Sequence, residues 1–186
     1  MSLIISTALA ALLLACAVPR RAAAHERLPE GPHDFMAAAA QEAEHNLTAK
    51  EGGPFGAVIT KDGRIIGRGH NRVISLHDPT AHAEIEAIRD ACRTLGTHDL
   101  TGCTLYTSCY PCPMCLSAIV WANLRTVFYG NTAHDAAAIG FRDEDIYRFI
   151  RGGCTDSRFL SLTPMDRSRT LPAFQAWASQ EQKPRY

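Results

Sequence analysis

The sequence predicts a three-layer α/β/α protein, with a central mixed sheet of about five strands covered on both faces by helices. Three observations predict it. Helix-length and strand-length patterns alternate from residue 33 onward, as in sheets whose connections are helices. An Asp-Gly pair joins the first two strands as a hairpin. The 186 residues, 46% hydrophobic and 20% charged, can bury one good core but hardly two.

The elements follow in order. His33 to Lys50 is rich in alanine, with Phe35, Met36, Ala39, Ala43 and Leu47 at helical spacing, and Gly52-Gly53-Pro54 stops it. Phe55 to Thr60 and Arg64 to Arg68 read as strands around Lys61-Asp62-Gly63. Pro79 and Thr80 introduce a helix from about His82 to Leu95, with Ile85 and Ile88 facing inward and Gly96 as its C-cap. Cys103 to Thr107 is the third strand, Pro113 to Ala122 a helix opened by proline, and Thr126 to Tyr129 the fourth strand. A fifth strand is expected near Arg158 to Leu162 and a last helix from Leu171 to Ser179. No internal repeat or low-complexity stretch follows residue 25.

The first 24 residues read differently from the rest. Leu3 to Val18 is apolar and shorter than the ~20 residues of a membrane span, a length that suits a signal-peptide core. Ala22-Ala23-Ala24 before His25 offers a small-residue cleavage site. Against export, no Lys or Arg precedes the run, whereas Arg20 and Arg21 follow it. Leu13-Leu14-Ala15-Cys16 loosely resembles a lipoprotein cleavage site, and a misassigned start with the chain beginning near Met36 is a third reading. The division expected is a leader over 1–24, a linker over 25–32 and one domain over 33–186. A true leader implies a periplasmic or membrane-anchored protein, with membrane contact only if the leader is retained or lipidated. Otherwise the protein is cytoplasmic.

Nineteen basic and nineteen acidic residues leave no net charge. Phosphate contacts dominate nucleic-acid affinity and call for a basic excess, so no nucleic-acid partner is expected.

The chemistry concentrates in His82-Ala83-Glu84 and Pro111-Cys112-Pro113-Met114-Cys115. Two thiolates at Cys-x-x-Cys spacing can grip one ion from the first turn of a helix, and His82 adds a third ligand. Three protein ligands and an open position characterise catalytic rather than structural zinc. Zn²⁺ held so brings a bound water to a pKa near ~7, and Glu84, two residues past His82, can handle its protons without being a ligand. Both half-motifs fall at helix N-termini, where free N–H groups favour thiolate. A lone Cys-x-x-Cys can also be a redox pair or half of a structural site. No second pair stands at suitable spacing, and a redox pair has no use for an upstream His-x-Glu.

Gly53-Pro54-Phe55-Gly56-Ala57-Val58-Ile59, Asn71, Asp78 to Ile85, Tyr106-Thr107-Ser108-Cys109 and Pro111 to Cys115 together resemble the cytidine deaminase superfamily. Gly140-Phe141-Arg142-Asp143, Phe174-Gln175-Ala176-Trp177 and the terminal Tyr186 are similar to the small bacterial guanine deaminases within it. The resemblance spans residues 33 to 186. It implies a cytidine deaminase-like fold, one Zn²⁺ on His82, Cys112 and Cys115, and Glu84 as proton shuttle. It further implies that Phe55 packs on a purine face, Asn71 reads the purine edge, and Asp143 faces the base and helps the amino group depart. Ala83 offers backbone groups to the base. Tyr186 would close the pocket of a neighbouring subunit in a domain-swapped homodimer. The implied reaction is hydrolysis of guanine, a small purine base, to xanthine and ammonia.

Blander roles stand beside these. Phe55 could be core, Asn71 a turn residue, Asp143 part of an exposed acidic face with Glu144 and Asp145, and Tyr186 a loose terminus. Other activities share the metal motif: a tRNA adenosine deaminase, or a guanosine, cytosine or aminotriazine deaminase. A zinc-stabilised binding module without turnover would have no use for Glu84.

Overall fold

A computed structural model describes residues 31–183. The leader over 1–24, most of the 25–32 linker and Tyr186 lie outside the described residues. Eleven elements follow one another: α1 Pro32–Ala49, β1 Gly56–Lys61, β2 Arg64–His70, α2 Val73–Leu76, α3 Ala83–Leu95, β3 Thr104–Cys109, α4 Pro113–Trp121, β4 Thr126–Asn131, α5 Ala133–Ala138, α6 Asp143–Arg151 and α7 Arg167–Ala178. Four strands form one mixed sheet in the order β2-β1-β3-β4. The first two junctions are antiparallel, and β3 pairs β4 in parallel, as the helical crossover α4 requires.

The hairpin between β1 and β2 turns through Asp62 and Gly63, both at positive φ (49° and 72°). That is the twist-matched turn an Asp-Gly pair favours. Alternation along the strands then sorts two cores. Ala57, Ile59 and Leu105 pack with α3 and α4, along with Ile119 and Ala122 of the α4 segment. Val58 and Tyr106 point the other way, onto Phe35, Ala38 and Ala39 of α1. Helices therefore cover both faces, as expected.

The inner face of α3 differs from the expectation. Ala83, Glu84, Ala87 and Ala91 are buried, whereas Ile85 and Ile88 are only partly so. The cause lies on β2. A Cβ at Gly69 would fall 2.3 Å from the Ala83 carbonyl oxygen, and one at Gly67 would fall 2.5 Å from that of Ala87. Glycine facing alanine lets the helix backbone rest on the strand, and the larger isoleucines are turned aside. This close seat fixes the N-terminus of α3, where His82 and Glu84 stand.

The fifth strand does not form. Residues 158–162 are turn and coil, and Phe159 stacks on Phe149 of α6 with ring centroids 4.9 Å apart. The last helix starts earlier than expected, at Arg167. Three short or polar helices, α2, α5 and α6, were not anticipated. Among the described residues no helix is long and apolar enough to cross a membrane.

Candidate metal centre and active site

Two helix N-termini converge on one spot. His82 is the N-cap of α3 and Cys112 the N-cap of α4, with Pro113 opening α4 and Cys115 in its first turn. The His82 side chain does not cap its own helix, and Cys112, bonded by Cys115 in the first turn of α4, faces it. His82 Nδ1 lies 3.6 Å from Cys112 Sγ and 3.7 Å from Cys115 Sγ. Zn–S near 2.3 Å and Zn–N near 2.0–2.1 Å at a tetrahedral angle separate N from S by roughly 3.6 Å. The ligand atoms thus fit one zinc ion, and the set matches its preference for thiolate and imidazole.

Electrostatics agree. The Cys112 thiol is pulled down to about 4, first by the hydrogen bond from Cys115 and then by His82. The same bond, with burial, pushes Cys115 up. His82 is raised, chiefly by its contact with Cys112. One thiolate beside an imidazole is a site prepared for a cation.

Glu84 is 6% exposed, in the first turn of α3. Its Oε1 accepts from Thr107 Oγ1 at 3.3 Å and its Oε2 from Cys115 Sγ at 3.4 Å. Burial pushes its carboxyl up, the direction expected of a group that must hold a proton during a reaction.

A cavity beside the cluster is lined by Phe55, His82, Glu84, Cys112 and Asp143, with Cys109, Tyr110 and Phe141 completing it. Asp143 opens α6. Its carboxyl is raised by burial and then by the Cys112 charge. It therefore belongs to the cavity rather than to an exposed acidic face. Phe55 combines both roles weighed for it. The ring packs on the core beside α3 and also lines the cavity, edge-on to Phe141 at 4.7 Å and 82°.

Asn71 is buried at the end of β2, where its Oδ1 accepts from Val73 N at 3.1 Å. The turn role is thus realised, and Asn71 is not among the residues lining the cavity. Ala83 is fully buried in the first turn of α3. Sequence reasoning missed five contributors. Thr107, Cys109 and Phe141 sit in segments singled out only as a resemblance. Tyr110 and Tyr147 carry no spacing signal. Tyr147 Oη donates to the Pro111 carbonyl at 2.5 Å, tying α6 to the loop before Cys112.

A His-Cys-Cys cluster between two helix N-termini, with a buried carboxyl beside it, defines a zinc-dependent hydrolytic deaminase. The chain belongs to the family described as the cytidine and deoxycytidylate deaminase zinc-binding region, which matches residues 29–131. It is 47% identical to the guanine deaminase of Bacillus subtilis over 152 residues, 82% of this chain and 97% of that one. The X-ray structure of guanine deaminase from Bacillus subtilis superposes with a TM-score of 0.77 at 45% identity, covering 84% of this chain and 99% of that chain. A tRNA-specific adenosine deaminase of Aquifex aeolicus is 44% identical over 99 residues, only 53% of this chain and 65% of its own length.

Proposed function

We propose that the protein hydrolyses guanine to xanthine and ammonia, taking a free purine base as substrate. The observation that carries this reading is the single cavity joining Phe55, Glu84 and Asp143 to two of the zinc ligands. An aromatic ring, a proton carrier and an acceptor for N–H donors are what a planar base with an amidine-like carbon requires. Likeness over nearly the whole length of a guanine deaminase supports it. The match to the adenosine deaminase of tRNA covers about half of this chain, and the net charge is zero.

Zinc, when bound by His82, Cys112 and Cys115, supplies a water of lowered pKa, near ~7. The chain's own groups do the rest. Phe55, backed edge-on by Phe141, lies against the purine face and fixes the plane of the ring. Glu84 takes the proton of the water that adds at C2 and delivers it to N3. Asp143 accepts hydrogen bonds from the N–H and amino groups of guanine and assists protonation of the departing amine. Asn71 and Ala83 lie outside the cavity lining and carry no step here; Asn71 shapes the turn after β2 through Val73 N. The balance is guanine and water in, xanthine and ammonia out.

The working unit is a homodimer in which Tyr186 of one copy closes the other's pocket. Support comes from α7, none of whose residues is buried, with Phe174 78% and Trp177 45% exposed. The deciding experiment measures ammonia released by the zinc-loaded protein from guanine, guanosine, cytosine, an aminotriazine and a tRNA anticodon stem. Guanine should lead. Preferred release from any other member would overturn the substrate assignment.

A further inference from the structure

We propose that Thr107 is the positioning residue for Glu84, holding one carboxyl oxygen so that the other is left to carry the proton. The proposal rests on the deaminase reading above. Its starting point is an anomaly in the sheet. Strand β3 alternates, and Tyr106 and Ser108 face the α1 side, where Tyr106 packs on Phe35 and Ser108 Oγ accepts from Gly56 N at 3.0 Å. Leu105 and Thr107 face α3 and α4. Leu105 there is wholly buried in an apolar cluster, and Thr107 is 1% exposed.

A valine would fill the Thr107 position with the same shape and good strand propensity. A hydroxyl there is unfavourable unless it is hydrogen-bonded, and its bond reaches Glu84 Oε1 at 3.3 Å. The central strand thus spends a polar group, in an otherwise apolar row, on the carboxyl that moves protons.

Thr107 is not one of the clustered metal-ligating residues, so its hold on Oε1 does not depend on what the thiols bind. With Oε1 anchored, the carboxyl keeps one orientation beside the cavity it lines, which is what proton transfer to a fixed substrate atom demands.

The test compares Thr107→Val and Thr107→Ser with wild type, all zinc-loaded. For Thr107→Val, kcat on guanine should fall roughly ten- to hundredfold, as for loss of a buried bond to a charged group. KM should stay within about twofold, because the lost interaction is not with bound guanine. Zinc stoichiometry should stay near wild type, the melting temperature should fall by a few degrees because a buried carboxyl oxygen loses its partner, and Thr107→Ser should recover most of both losses. Wild-type kcat in Thr107→Val overturns the proposal, as does a Thr107→Ser protein that holds zinc yet is no better than Thr107→Val. A crystal structure of the zinc-loaded wild type gives an arm free of any variant. Thr107 Oγ1 should lie within hydrogen-bond distance of Glu84 Oε1, and a hydroxyl turned to a backbone carbonyl overturns the assignment. Wild type inactive on guanine would sink the substrate reading instead, while the crystallographic arm still decides Thr107.

Discussion

Residues 31–131 and 132–183 are built on different terms. The first stretch contains both hydrophobic clusters, every strand and all three zinc ligands. In the second, Ala136 is the one buried residue, and Phe159, Leu162, Met165 and Phe174 stand largely in solvent. A monomer seldom leaves so much apolar side chain uncovered without a partner to cover it. Yet the second stretch supplies Phe141 and Asp143 to the cavity, and Tyr147 to the loop before Cys112. The lesson is a division of labour. The core makes the metal centre and most of the cavity lining, while the open C-terminal part adds Phe141 and Asp143 to that lining. Chemistry and choice of substrate should therefore come apart under mutation.

The largest effects belong in the core. Replacing Cys115 or His82 by alanine should remove zinc and turnover together and lower the melting temperature, because the ion ties the ends of α3 and α4. Metal analysis and calorimetry on one sample check this, and full zinc in either variant would break the three-ligand assignment. Next comes Glu84→Gln. It should keep zinc and lose about 10²–10⁴-fold in turnover, since the amide keeps the shape and cannot carry the proton. Near-normal ammonia release at full zinc occupancy would take Glu84 out of the mechanism.

The same division marks what could be read from the chain. In the core, the segments on either side of the Asp62-Gly63 turn were legible as strands close to their observed limits. His82, Glu84, Cys112 and Cys115 were legible because spacing alone brings a ligand set onto helix ends. The inner face of α3 was not. It depends on Gly67 and Gly69 of a neighbouring strand, so hydrophobicity pointed to isoleucines where close approach selects alanines. Beyond residue 131 the signals failed for another reason. Phe159, Leu160 and Leu162 have the composition of a strand, but a strand needs an edge to pair with, and Phe159 is taken by Phe149 of α6. Asp143, Glu144 and Asp145 look like a solvated run. Only the fold turns the first of them into the cavity, and only the fold puts Thr107 against Glu84.

A substitution at the junction of the two regions should have an intermediate effect. On the proposed reading, Asp143→Ala removes the acceptor for guanine's N–H and amino donors, and donors left unpaired in the cavity are costly. Guanine turnover should fall roughly ten- to hundredfold, with zinc and melting temperature unchanged. The loss should be smaller, though not absent, for a slow substrate that lacks those donors, because Asp143 also assists the departing amine. An equal loss for all substrates would confine Asp143 to that step and remove it from the choice of base.

The smallest effect on the folded chain should come from α7. None of its residues is buried in the single chain, so the double change Phe174→Ser, Trp177→Ser should alter the stability of a monomer by no more than about 0.5 kcal/mol, as for other exposed positions. Zinc content should be untouched. If these rings cover a second copy, sedimentation at micromolar protein should find the variant monomeric where wild type is dimeric. If the partner's Tyr186 closes the pocket as proposed, its KM for guanine should also rise. Melting curves on diluted samples separate the two contributions. A variant that melts well below wild type when both are monomeric would mean that α7 packs on its own core after all, and the C-terminal region would then be no more open than the rest.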